Sequence, residues 1–431
     1  MDDPLNEVEL HFGLKSGLEY GRNCRQDRNH KNLVVRGQTT LRCWLSSSNS
    51  SGFVSRNRLF PSAGRNQDWM MPMILNVYPE GESSSKPPPN NAHWGRLRHL
   101  FVETLSESCD FSQRIVMLDP SNGDAVVETL EQVEFPENLQ EWVNRYLQLG
   151  PRDVYLWRWC LFAVDLMTLT TVDKVFHEKS RDTKFLIGMF NCLIDDVADR
   201  DHNHRFVRSL LTLTRGGTPT GETPEECQLA EFVTVVWKEI WSQSAELPRF
   251  REFEPLLAFD LSQLCTTVEH SDLTAQMPEL VNRTEHDLYS SHGMMVTVAA
   301  TVDLMASPGF DLQDLSGLRS LLWHAESMAR IGNMVSTWER EIADGDFTSG
   351  VFMEAVWQGY VDPSDLQAEN EERLVQSIIA SDIEGDFLRR WETHRSQVRL
   401  LGQGLKSIDI EDYIGRLDRL LESELFSHGQ K

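Results

Sequence analysis

No apolar run in this 431-residue chain reaches the roughly 20 residues that a membrane-spanning helix needs. Stable membrane insertion is therefore not expected. The N-terminus, MDDPLNEVEL, is acidic and lacks the apolar core of a secretory leader. Cysteine is sparse: seven residues (Cys24, Cys43, Cys109, Cys160, Cys192, Cys227 and Cys265), odd in number and widely spaced. No CxxC pair occurs, which excludes a zinc ribbon or a redox dithiol of the usual spacing. Together these absences predict a soluble protein of a reducing, cytoplasmic compartment. Basic residues are also short, 41 against 66 acids, for a net charge of −25. A general nucleic-acid binder needs a basic face, so no nucleic-acid partner is expected. No internal repeat is visible, and few segments alternate with the period of two that strands require.

What is present is enough apolar residue, 40%, to bury one or two sizeable cores. The charge is uneven. Up to Arg98 there are 9 acids and 13 bases, a net of +4, so the remainder carries −29. Residues 1–92 read as an irregular, flexible N-terminal extension. LSSSNSSGF and GESSSKPPPNNA punctuate it, and Pro87 to Pro89 form a semi-rigid spacer. The apolar cluster from Trp69 to Pro79 could dock on the main body. Residues 93–431 read as helical. Tyr155 to Phe176 is long, largely apolar and free of Gly and Pro, which predicts a central buried helix. Pro224 to Ser244 opens on Pro and acids, as first turns do. Asp314 to Ile342 and the amphipathic tail EDYIGRLDRLLESEL continue the pattern. The expected fold is an all-α bundle of about ten helices.

Two constellations carry chemistry. NCLIDDVADRD, Asn191 to Asp201, follows an apolar run and packs four aspartates into seven positions. On a helix, Asp195 and Asp199 share one face, about 6 Å apart along the axis, with Asp196 beside them. Acids at a helix C-terminus oppose the macrodipole, so their placement asks for a reason, either a solvated helix end that carries them incidentally or a bound cation. A pair one turn apart suits a hard divalent ion such as Mg²⁺. The second constellation is IGNMVSTWEREIADGDF, Ile331 to Phe347. Asn333, Thr337 and Glu341 are spaced by four and line one helical face with an amide, a hydroxyl and a carboxylate. Arg340 stands beside Glu341, about 100° round the helix, with a fork that fits phosphate.

The pair of motifs, DDxxD at Asp195 to Asp199 and NxxxTxxxE at Asn333 to Glu341, resembles the class I terpene synthases, in a form seen in bacterial-type members. The resemblance covers roughly Gln140 to Phe426, and the motifs lie 138 residues apart. It implies a helical bundle around a central active-site cavity, and a terpene cyclase acting on a linear prenyl diphosphate. It implies three Mg²⁺ ions, replaceable by Mn²⁺, held by Asp195, Asp196 and Asp199 on one side and by Asn333, Thr337 and Glu341 on the other. It further implies diphosphate contacts from Arg340 and from an upstream arginine, for which Arg283 is the only candidate in NRTEHDLYSSHGMMV. His292 and Gly293 mark the expected helix break at the pocket. Aromatic faces that could shelter a carbocation are Phe185, Phe190, Trp157, Trp159, Trp323 and Trp338. A homodimer is compatible with the family. Three features depart from its pattern: Met334 follows Asn333 where many members have Asp, no RY pair stands near the C-terminus (Arg416 and Arg419 are weaker substitutes), and the N-terminal extension has no counterpart in minimal members.

Other readings of the same residues stay open at this point. A chain-elongating prenyltransferase on the same fold would carry two aspartate-rich motifs. A non-catalytic helical scaffold would leave its acids solvated or on structural Ca²⁺. An inactive family member would keep the motifs without the activity.

Overall fold

A computed structural model describes residues 8–9, 23–26, 33–35, 120–199, 202–366 and 370–427. The chain divides into two compact units, Met1–Ser83 and Ser84–Lys431. In the first, three short strands pair antiparallel in the order β1 (Val8–Glu9), β2 (Asn23–Gln26), β3 (Leu33–Val35), with Cys24 opposite both Val8 and Val35. The expected boundary at 92, the proline spacer and the Trp69 to Pro79 cluster lie outside the described residues.

The described part of the second unit is helical throughout: α1 (Pro120–Glu131), α2 (Glu137–Tyr146), α3 (Val154–Leu166), α4 (His177–Asp199), α5 (His204–Leu210), α6 (Pro224–Ala245) and α7 (Phe250–Gln276). There follow α8 (Arg283–Tyr289), α9 (Val296–Met305), α10 (Leu315–Asp344), α11 (Gly350–Trp357), α12 (Glu371–Ala380), α13 (Ile383–Gly402) and α14 (Ile410–Phe426). The fourteen exceed the expected ten because α5, α8 and α11 are too short for periodicity to mark. Among the described residues no helix is long and apolar enough to cross a membrane.

Local chemistry sets the ends. Thr223 caps α6 by accepting from Glu226 N, with Pro224 at the first helical position. The helix expected from Tyr155 to Phe176 stops at Leu166. Thr168 returns its hydroxyl to Val164 O (3.0 Å), and Arg416 donates to the carbonyls of Leu166 and Thr168 (3.0 and 3.1 Å). Arg416 thus caps α3, and Asp303 accepts from Leu169 N (2.9 Å). Side chains from elsewhere in the chain take over backbone groups that the sequence alone would assign to a continuing helix.

α10 packs along α13 and α14, and α4 against α3, α6 and α7; α9 lies on α7 and α10. Trp157, Phe185, Phe232, Trp338, Phe352 and Phe387 are fully buried. An ion pair crosses this core. Lys184 Nζ on α4 lies 2.8 Å from Asp303 Oδ1 on α9, both side chains 1% exposed. Ser180 donates to the same carboxylate (2.6 Å), and Lys184 donates to Thr168 (2.6 Å). Every charge here has partners, which is the condition for burying it.

Asp303→Ala strands the Lys184 ammonium, and chemical denaturation should show a loss of about 3–5 kcal/mol. The double variant Lys184→Met with Asp303→Leu should recover much of that. Equal losses in the single and double variants would show that packing, not the unpaired charge, sets the cost.

The α10–α13 interface also holds two imidazoles, His324 Nδ1 and His394 Nδ1, 2.9 Å apart. Burial, then His324 and Arg390, pull the pKa of His394 from 6.5 to about 4. A depressed histidine favours the neutral form in the fold. Its contribution is therefore whole above about pH 6.5 and is lost as pH falls toward 4. The melting temperature should drop over that window, and less steeply in His394→Gln. Parallel curves for the two proteins would remove His394 from the account.

Candidate active site

A cavity of about 250 Å³ is lined by α3, α4, α7, α9 and α10, with single residues from α8, α11 and α14. The α4 residues facing it are Phe185, Gly188, Asn191, Cys192, Asp195 and Asp199, the three-to-four spacing of one helical face. Asn333, Thr337 and Glu341 line the same cavity from α10. The two motifs, far apart in sequence, thus share one space, and Arg340 joins them there.

Asp196 does not line the cavity. About 100° round the helix from Asp195, it is 5% exposed. It accepts from Tyr146 Oη (2.5 Å) and from Arg152 Nε (2.6 Å). Burial and the Asp196 carboxylate push the Tyr146 hydroxyl far above its usual pKa, so it stays a donor. Arg152 Nη2 also reaches Asp195 Oδ2, 3.6 Å away. Asp196 therefore holds a tyrosine and an arginine, and through Arg152 it orients its neighbour. Its expected place among metal ligands is not what this geometry gives it.

The triad on α10 is already linked. The Thr337 hydroxyl lies 2.6 Å from Glu341 Oε1 and 2.8 Å from the Asn333 carbonyl. Arg330 donates to Asn333 Oδ1 (2.9 Å). Glu341 Oε2 is buried without a hydrogen-bond partner, as are Nε of Arg330 and Nε of Arg340. Arg340 Nη1 meets Asp344 at 3.2 Å. Gly345, left-handed at φ 76°, ends the helix and turns Asp346 back to the cavity, its N–H on Glu341 O (2.9 Å).

Charge crowding follows. Burial first, and then Asp346, lift Glu341 to about 6. Burial raises Asp195, and burial with Asp195 raises Asp199 well above the carboxylate range. Among the described residues no three His, Cys, Asp or Glu side chains converge on one point. The motifs stand as two facing walls, each supplying oxygen donors and each carrying a carboxylate that burial disfavours as an anion. That donor set fits a hard divalent cation bridged by a ligand's own oxygens.

The expected pocket residues divide. Phe185 and Gly293 line the cavity, as does Trp159. Trp157 is fully buried outside the lining, edge-on to Tyr146 (4.4 Å) and Phe185 (5.8 Å). Phe190 packs on Trp237 (4.9 Å), and Trp323 on His292 (5.8 Å). Trp338 donates its indole N–H to Glu384 (2.9 Å). Trp157, Phe190 and Trp338 are core aromatics, and Trp323 is half-buried outside the lining. Arg283 also turns away: its guanidinium lies 5.1 Å over Trp357 and 3.8 Å from Asp287 and Glu354. Arg419 is exposed and lines nothing here.

Sequence reasoning missed Arg152, Arg330, Asp346, Phe347 and two histidines, His270 and His286, all on the cavity wall. Burial lowers both histidines, favouring neutral imidazoles. Arg330 was within reach, since it stands three residues before Asn333 on the triad's face. Arg152 sits in the α2–α3 connection, where no period marks it.

Much of the remaining wall is apolar, with Leu156, Ala163 and Val164 of α3, Met167 at its C-terminal end, and Met294, Met295 and Ala299. Met295 is left-handed, φ 54° and ψ 13°, between the 3₁₀ turn Ser290–Met294 and α9. That backbone costs a residue with a side chain roughly 1–2 kcal/mol.

No protein-family model matches this chain, and no curated protein matches it significantly, so the geometry of the cavity carries the functional reading.

Proposed function

We propose that this chain is a Mg²⁺-dependent terpene cyclase. It ionises a linear prenyl diphosphate, farnesyl or geranylgeranyl, and cyclises the carbocation to a sesqui- or diterpene with release of pyrophosphate. One observation supports this above all. The aspartate pair Asp195 and Asp199 and the triad Asn333, Thr337 and Glu341 line a single cavity that also has an extended apolar wall.

In this reading Asp195 and Asp199 would hold metal on one wall, and Asn333, Thr337 and Glu341 on the other, where Mg²⁺ would supply Lewis-acid stabilisation of a departing diphosphate. Arg152, Arg330 and Arg340 line the cavity too and orient that group by charge-assisted hydrogen bonds. Arg340 and Arg330 each keep an unpartnered Nε for it. Asp196 fixes Arg152 without entering the mouth. Beneath, the apolar wall excludes water from the hydrocarbon, and the faces of Trp159, Phe185 and Phe347 stabilise positive charge.

The direct test is incubation with C10, C15, C20 and C25 prenyl diphosphates and Mg²⁺, with pyrophosphate release and product analysis. Cyclic hydrocarbons or alcohols are expected from at least one, and none without the metal. Absence of turnover with all four sinks the proposal.

The two neighbouring aspartates should separate. Asp195→Asn is expected to cost at least about 100-fold in kcat/KM, or about 2.7 kcal/mol, with little change in melting temperature. Asp196→Asn should lower the melting temperature as well, because Tyr146 and Arg152 lose a charged acceptor. Identical behaviour of the two variants would contradict the division of roles.

Glu341→Gln keeps the shape and removes the charge. Calorimetry should show weaker joint binding of Mg²⁺ and pyrophosphate, and Arg340→Ala should weaken it more than Arg340→Lys. Unaltered affinity in Glu341→Gln would exclude the triad as a metal site.

A further inference from the structure

Two locally unfavourable residues meet in the lining of the cavity. Gly188 lies in the interior of α4, where glycine is a poor helix former. Met295 holds a left-handed backbone that favours glycine. Exchanged in type, each position would be locally better served. They line the same cavity, and they touch. A Cβ built on Gly188 would stand 3.3 Å from Met295 Sδ and 3.9 Å from its Cε, with no other neighbour within 4 Å. The glycine leaves room for the thioether, and the strained turn delivers the thioether to that spot. Such paired exceptions to local preference concentrate where a site is shaped.

Position along α4 says what the contact limits. Gly188 is seven residues before Asp195, on the same face. At 1.5 Å per residue this places it about 10 Å below the carboxylate. A diphosphate at the mouth directs its hydrocarbon tail down this face.

We infer that the Gly188–Met295 contact sets the length of prenyl chain that the cavity accepts. Met295 narrows the space in which the tail lies, and Gly188 fixes how far Met295 stands from α4. The inference rests on the prenyl diphosphate reading above. Methionine suits the task, since an unbranched thioether fills space and adapts to a folded chain. Removing it opens depth, and glycine relieves the backbone at the same position. Met295→Gly therefore deepens the cavity without adding strain. A leucine at 188 fills the gap from the opposite wall.

The experiment measures kcat/KM for the C10, C15 and C20 diphosphates with Mg²⁺ in the wild type, Met295→Gly and Gly188→Leu. A single methylene in a fitted pocket is worth about tenfold or more. Met295→Gly should raise the C20-to-C15 ratio by at least about tenfold, and Gly188→Leu should lower the C15-to-C10 ratio by as much. Ratios within about twofold of wild type in both variants would overturn the inference while leaving the cyclase reading intact. A second measurement needs no turnover: the thermal shift given by C10, C15 and C20 prenyl alcohols. The chain length giving the largest shift should move up in Met295→Gly and down in Gly188→Leu. A wild type inert toward every diphosphate removes the cyclase reading. Unmoved thermal-shift preferences in both variants remove the chain-length role.

Discussion

Asp196 is the residue on which the site turns. A helix cannot point two consecutive side chains the same way. Where Asp196 is locked decides where Asp195 and Asp199 face. Tyr146 and Arg152 do the locking, from the end of α2 and from the α2–α3 connection. Their two bonds fix the rotation of the last turns of α4, and that rotation presents Phe185, Gly188, Cys192, Asp195 and Asp199 as one stripe on the cavity. Arg152 is shared, since it also reaches Asp195. The same guanidinium thus anchors the scaffold and polarises the mouth.

The rest of the bundle uses the same device. Charges are buried where they join helices that hydrophobic packing alone would leave free to slide. Lys184 and Asp303 join α4 to α9. Asp260 on α7 receives both nitrogens of Arg319 on α10 at 2.8 Å, with the Thr301 hydroxyl of α9 at 2.6 Å. Arg395 grips Asp418 in a fork at 2.7 and 2.8 Å, joining α13 to α14. Bidentate pairs of this kind are directional and so fix register as well as distance. A cavity whose walls come from several helices needs that directionality.

Periodicity made the helical class, and the facing of Asn333, Thr337 and Glu341, legible in the sequence. Those inferences depend only on spacing within one helix. What failed depended on contacts between distant segments. Tyr155 to Phe176 has the composition of one helix, yet Asp303 and Arg416 capture its backbone near Thr168 and end it. Trp157, Phe190, Trp323 and Trp338 are as aromatic as Trp159, but only tertiary packing tells core from lining. Arg283 was the sole arginine in its segment and still faces Trp357, because Asp287 and Glu354 draw it there. Arg152 and Asp346 lie in connections, where no helical period applies.

The cavity is also where local preference and observed structure disagree most. Met295 occupies a glycine conformation, Gly188 occupies a helix interior, and Glu341 keeps a buried oxygen without a hydrogen-bond partner. Asp199 is pushed far toward its protonated form by burial and by Asp195. Exceptions also occur away from the cavity: His202 is left-handed at φ 47°, Pro255 lies inside α7, and the Ser244 hydroxyl is buried without a hydrogen-bond partner. Those at the cavity share one lining, with Asp199 and Glu341 in its polar part and Gly188 and Met295 in its apolar part. On the cyclase proposal one amphiphile would meet both parts, its charged head with cations at the carboxylates and its hydrocarbon tail against the apolar lining that includes Met295.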